Sequence, residues 1–279
     1  MSVLALPNVM GDNHRYLIGL CRAAGGAIIF GLPLLMTMEM WWLGFTIDRT
    51  KLLLLVLLLM PVLTALSYHA GFEPTFEWRD DVLDAFVAYG VGFGASVLML
   101  LLLGLVTMDT AVSDAVGKIT VQAVPASFGA MLGRTLLGGE RVDEDQRRAD
   151  TYGGELFLMA AGALFLSFSI APTEEITHIS TSLSTWGIIL LAVVSLVQMH
   201  GFVYAVEFHG QHSRPDQATM AGEFVRLTVV GYAMVLVISA YVLWTFGRTD
   251  GLGSLESVRA TVVLGFPASI GAAAARLIL

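Results

Sequence analysis

Apolar runs long enough to cross a membrane alternate with short polar turns along this chain of 279 residues. A run of about 20 apolar residues, wound as a helix, matches the hydrocarbon thickness of a bilayer. The pattern predicts eight helical segments, at about 16–45, 52–71, 82–108, 115–137, 155–170, 182–208, 222–246 and 255–279. The charges collect in the turns at 48–51, 73–81, 109–118, 172–175, 209–216 and 248–254. The most hydrophilic stretch, 138–150, divides the chain near its middle. The first run exceeds one crossing, and Gly25, Gly26, Gly31 and Pro33 within it predict close backbone contacts and a kink. The fourth run is only moderately apolar.

One pattern occurs twice. Pro125-Ala126-Ser127-Phe128-Gly129-Ala130, with Arg134 after it, reappears as Pro267-Ala268-Ser269-Ile270-Gly271-Ala272, with Arg276 after it, at an offset of 142 (267 − 125). Weaker pairs keep the same order: Gly25-Gly26 with Gly153-Gly154, His69-Ala70 with His200-Gly201, and Phe86-Val87 with Phe224-Val225. The expected fold is therefore an all-α polytopic membrane helix bundle, eight transmembrane helices arranged as a 4+4 parallel tandem repeat. Residues 1–138 are the first four-helix repeat, 139–150 a cytoplasmic linker and 151–279 the second repeat. An even number of crossings per unit relates the halves by a pseudo-two-fold axis along the membrane normal.

Within the repeated pattern Ala126, Ala130 and Gly133 fall on one helical face, with Gly129 beside them; Ala268, Ala272, Ala275 and Gly271 do the same. Such small residues let helices approach closely in lipid. Pro125, Gly129, Gly133, Pro267 and Gly271 are assigned to helix packing on that ground. A sharper alternative is that the carbonyls of Val121 and Val263, freed by the prolines, line a path together with Ser127 and Ser269.

Composition agrees with the pattern. Hydrophobic residues make up 56% and charged residues 14%, against about 25% charged in a soluble domain. No basic region precedes an apolar run in residues 1–14, so no cleavable signal peptide is expected. One cysteine, Cys21, excludes an intrachain disulfide. A net charge of −8 with no basic stripe argues against nucleic acid. Lys and Arg number ten on the side holding the N-terminus and five on the other. That bias places both termini in the cytoplasm of a multi-pass protein of the bacterial inner membrane.

Ionisable residues inside apolar helices are functional candidates by default. Glu39, set among Leu34, Leu35, Met36, Met38, Met40 and Trp41, is the clearest. Lys118, one of two lysines, shares a helical face with Gln122 and could pair with Asp114 one turn back. His200, Tyr204 and Glu207 share a face of the sixth segment, and His69 sits at a similar place in the second. His209 and His212 follow in a loop, in a spacing that fits no compact metal motif. Glu174-Glu175 only faintly resembles the paired glutamates of intramembrane proteases. There is no G-x-S-x-G, H-E-x-x-H or Walker loop. No cofactor and no metal are expected.

The first segment, Arg22…Gly26-Ala27…Phe30-Gly31-Leu32-Pro33-Leu34-Leu35…Thr37-Met38-Glu39…Trp41-Trp42…Gly44, resembles a family of uncharacterised bacterial integral membrane proteins, as does Ala115-Val116-Gly117-Lys118-Ile119…Val121-Gln122-Ala123-Val124-Pro125. The resemblance covers most of the chain. It implies a bacterial inner-membrane protein and directs attention to Glu39, Lys118, Gln122 and Pro125.

The leading expectation is an integral membrane channel or transporter for an ion or small solute, with its path at the interface of the two repeats. Glu39, His69, His200, Lys118, Gln122, Tyr204, Glu207, Ser127 and Ser269 are the path or gating candidates. A non-transporting scaffold, sensor or assembly factor is the second class, and an intramembrane enzyme the third. The partners implied are the lipid bilayer and an ion or small solute; a homo-oligomer stays open.

Overall fold

The computed structural model describes residues 9–70, 77–133, 137, 151–208 and 224–278. These are helical with no strand among them. In order they form α1 (Val9–Leu35), α2 (Met38–Thr46), α3 (Arg49–Ala70), α4 (Trp78–Leu102), α5 (Val112–Met131), α6 (Tyr152–Ile170), α7 (Glu175–Ser182), α8 (Thr185–Phe208), a π-helical turn (Phe224–Val229) leading into α9 (Val230–Thr245), and α10 (Ser254–Ile278). The 138–150 stretch and the 209–216 loop, with His209 and His212, lie outside the described residues.

Seven described helices are long and apolar enough to cross a membrane: α1, α3, α4, α6, α8, the π turn with α9, and α10. Their outer faces are large apolar side chains such as Leu57, Leu83, Leu190 and Val237, each more than half exposed. A surface of that kind needs lipid rather than water around it. Trp42, Trp78 and Trp186, also exposed, stand near helix ends where indoles favour the membrane–water boundary.

The expected first segment is two helices. α1 stops at Leu35, where Thr37 donates its hydroxyl (2.7 Å) and backbone N–H (3.0 Å) to the Leu34 carbonyl. The Trp41 indole donates to the Leu35 carbonyl at 2.7 Å. Those groups satisfy carbonyls that a helix end otherwise leaves bare. α6 stops the same way: Thr173 donates its hydroxyl (2.8 Å) and N–H (3.0 Å) to the Ile170 carbonyl. A short helix, α7, follows before α8.

α5 is not among the seven, and its surroundings explain why. Residues 121–133 are all buried, sheltered by α1 to α4. It runs antiparallel to α1. A Cβ at Gly26 would overlap the Gly129 carbonyl and one at Gly129 the Gly26 carbonyl; further along, Gly133 faces the Arg22 backbone and Gly117 the Gly44 carbonyl. α6 and α10 cross with the same intimacy, Gly162 against the Gly271 carbonyl and Gly271 against that of Gly162. Gly153 has open space around it, so it does not take the part of Gly26; Gly162 does.

Larger side chains fill the seam between the α1–α5 and α6–α10 sets. Phe30 and Phe165 meet at 4.1 Å between ring centroids, Phe128 and Phe168 at 6.3 Å, and His69 stacks on Phe157 at 5.2 Å. Two apolar cavities of about 190 and 40 Å³ remain along it, the larger lined by Phe30, Phe128, Leu132, Phe165 and Leu166 among others.

Candidate functional site

Take the near end of the bundle as the one where α1 begins. At the far end a cavity of about 380 Å³ lies between α2 on one side and the α6–α7 and α9–α10 connections on the other. Met38, Glu39, Trp42, Leu43, Thr46, Glu174, Phe246 and Arg248 line it. The helix breaks make the place. Ending α1 at Leu35 puts Glu39 in the first turn of α2, where the positive end of the helix dipole favours a carboxylate. Ending α6 puts Glu174 at the N-cap of α7, with no capping bond from its side chain. α9 closes through Gly247, at φ +71°, a conformation glycine adopts freely. That turn delivers Arg248, whose guanidinium donates to the Pro172 carbonyl.

Opposite charges thus share one cavity without meeting. Glu39 is half-buried and has no hydrogen-bond or ion-pair partner among the described residues. An ion pair at this same end, Lys51 Nζ to Asp250 at 3.1 Å, is not part of the cavity lining and joins the two helix sets. Lys51 also lies over the Trp244 ring, 5.1 Å from its centroid. Beneath the cavity Phe246 packs on Phe168 at 5.9 Å, and Phe168 on Phe128, so the floor is a column of phenylalanines.

Two exposed carboxyls nearby sit below their ordinary range. The Lys51 backbone N–H, and then that of Thr50, holds Asp48 down as it caps α3. For Glu175 its own backbone N–H leads, followed by the Thr173 hydroxyl, with His178 and Arg248 adding attraction.

Of the expected residues whose side chains are described, only Glu39 lines this cavity. Lys118 does not pair with Asp114; its Nζ donates to the Leu105 carbonyl at 2.9 Å, past the end of α4 where backbone acceptors are bare. Asp114 instead accepts from Ser113 at 3.1 Å. The Gln122 amide donates to the Gly31 carbonyl at 2.6 Å. Ser127 and Ser269, both fully buried, donate within their own helices to Ala123 (2.5 Å) and Phe266 (2.6 Å). His69 stacks across the seam on Phe157, whereas His200 meets Thr228 at 3.1 Å beside the π turn, so the two histidines differ in surroundings. Tyr204 and Glu207 lie in the last turns of α8, with side chains outside the described residues, as are those of Arg134 and Arg276. Among the described residues no three His, Cys, Asp or Glu side chains gather as metal ligands do.

Sequence reasoning missed Glu174 and Arg248 as companions of Glu39. The 136-residue offset of Thr37-x-Glu39 and Thr173-x-Glu175 (175 − 39) points to the neighbouring Glu175, which does not line the cavity, so it marks the place in the chain but not Glu174 itself. A second polar cluster at the near end was also unforeseen. Ser67 meets the carboxylates of Asp81 (3.3 Å) and Asp84 (3.2 Å), all three buried.

Residues 19–279 match the family model described as "Putative integral membrane protein (DUF2391)". No curated protein and no solved structure matches the chain.

Proposed function

Because the chain belongs to this family of integral membrane proteins, we propose that it is a transporter for a small charged solute, working by rocking two similar halves about the seam between them. The halves are residues 1–138 and 151–279, joined by 139–150. Each holds four crossing helices and one short helix, in parallel about an axis along the membrane normal. Several like features support the duplication. Gly26 and Gly162, Thr37 and Thr173, and Leu43 and Ile179, whose carbonyls close α2 and α7, all pair at the offset of 136 (162 − 26). Gly104 and Gly247, at φ +67° and +71°, end α4 and α9 alike.

The observation that carries the function is the far-end cavity: charged, placed at one end of the bundle, and floored by phenylalanines. Each half is locked internally by glycine–carbonyl contact, while the seam holds bulky side chains and cavities. That contrast suits two rigid bodies moving about an apolar plug. With the near end cytoplasmic on the Lys and Arg bias, the cavity opens away from the cytoplasm of a bacterial inner membrane.

Proteoliposomes tested for uptake of labelled amino acids, amines, organic acids and H⁺ decide it. Flux that Glu39→Gln reduces at least tenfold supports transport; no flux of any class contradicts it. The apolar seam itself favours one other reading, a non-transporting scaffold or sensor, which predicts no flux together with unchanged growth for Glu39→Gln cells.

A further inference from the structure

The far-end cavity says more about its occupant than charge alone. Resting on the transport reading for its biological use, we infer that this cavity binds a small molecule carrying a primary ammonium group and, a short chain away, a carboxylate or phosphate. Glu39 and Glu174 offer two carboxylates to a cation. Arg248 offers an anion a guanidinium fork that is only partly used: one amino group is on the Pro172 carbonyl, while Nε is enclosed without a hydrogen-bond partner among the described residues. Neither glutamate pairs with Arg248 or with any other described residue, although all three line one cavity. Arg248 also attracts the exposed Glu175 beside the cavity, but charges of both signs that line one cavity without pairing fit a ligand that carries both.

Simpler ligands fit worse. A lone anion meets two carboxylates, and a lone cation meets the guanidinium. A divalent metal ion needs a fuller set of oxygen ligands than two carboxylates beside an arginine, and no group of three candidate ligands exists among the described residues. The Trp42 indole in the wall adds a face that attracts an ammonium ion. The volume, about 380 Å³, is in the range of small-molecule sites.

The same chemistry occurs in free amino acids and in the ethanolamine headgroup of a phospholipid. The experiment therefore has two arms. Purified protein in detergent is titrated with β-alanine and with phosphoethanolamine, and with ethylamine, propionate and Mg²⁺ as single-feature probes, following thermal stability and Trp fluorescence. Protein in nanodiscs is then compared between phosphatidylethanolamine and phosphatidylcholine, whose quaternary ammonium has no N–H to give. The expected result is saturable binding of a two-charge probe, weakened roughly tenfold to a hundredfold by Glu39→Gln and by Arg248→Gln, since each removes a charged hydrogen bond, and weakened less by Arg248→Lys, which loses only the guanidinium fork. Arg248→Lys keeps the charge near Pro172 and serves if Arg248→Gln fails to fold. A response confined to phosphatidylethanolamine nanodiscs assigns the cavity to a lipid headgroup. Ethylamine or propionate binding as tightly as the two-charge probes, or no response in either arm, overturns the inference. Binding without flux in proteoliposomes would sink transport and leave the inference standing. Flux of other solutes without this binding would do the reverse.

Discussion

α5 packs against α1 and α10 against α6, and each carries the proline, the serine and the glycine–carbonyl crossing. Yet α10 is apolar enough to cross a membrane by composition and α5 is not. Where α5 has Lys118 and Gln122, α10 has Ala260 and Leu264 at the offset of 142 (260 − 118). Four helices of its own set pack against each of them, and the difference lies in burial: residues 121–131 of α5 are all buried, and Lys118 and Gln122 donate to the Leu105 and Gly31 carbonyls. α10 keeps partly exposed positions such as Val262 and Ile270 along its length. Polarity along a membrane helix thus reports its neighbours, and hydropathy finds lipid-facing helices more readily than sheltered ones.

The crossings give the largest expected effect. Gly129→Val drives a side chain into the Gly26 carbonyl and is expected to cost about 3 kcal/mol, read as a lowered midpoint in detergent unfolding. Gly271→Val should match it, because Gly162 presents the same obstacle. A mild Gly129→Val beside a severe Gly271→Val would break the equivalence of the two helices. Lys118→Ala tests what is particular to α5. Leaving the Leu105 carbonyl without its donor is expected to destabilise by about 1–2 kcal/mol, and an unchanged midpoint would mean that water replaces the ammonium.

Acid gives a smaller effect. Asp48 and Glu175 have lowered folded-state values, so their stabilisation is present above the ordinary carboxylate range and is lost as pH falls through it. The unfolding midpoint should drop on acidification below about pH 4, and drop less in Asp48→Asn. Parallel pH profiles for the two proteins would remove Asp48 from the account. Smallest is Lys51→Ala. Its partner Asp250 is 66% exposed, and such pairs contribute under about 1 kcal/mol. A larger loss would mean that the seam depends on this bridge.

Much of this was legible in the sequence, and the failures have physical causes. Seven of the eight expected segments hold a described helix long and apolar enough to cross a membrane, because lipid demands length and apolarity of each segment separately; the fourth is the less apolar α5. The break at Thr37 was hidden inside one apolar run, since Met36 and Met38 continue the hydrophobic pattern across it. Pro33 promised a kink, but the Thr37 hydroxyl and Trp41 indole close the helix a turn later. Glu39 stood out as an isolated acid. Glu174 and Arg248 did not, because polar residues in turns are ordinary and only folding brings these beside Glu39. Asp114 looked like a partner for Lys118 by spacing alone, whereas the bare carbonyl past α4 was the stronger claim on its ammonium.

The central claim is that two internally locked halves move about an apolar seam, and distances between them test it most directly. Val112 and Leu255, both highly exposed at the far-end starts of α5 and α10, can carry spin labels on introduced cysteines in a Cys21→Ser background. Pulsed electron–electron double resonance in nanodiscs should give a distribution with more than one population, redistributed by a bound two-charge solute and little changed by Lys51→Ala. A single narrow distribution, unmoved by the solute, would contradict the account and leave a static bundle.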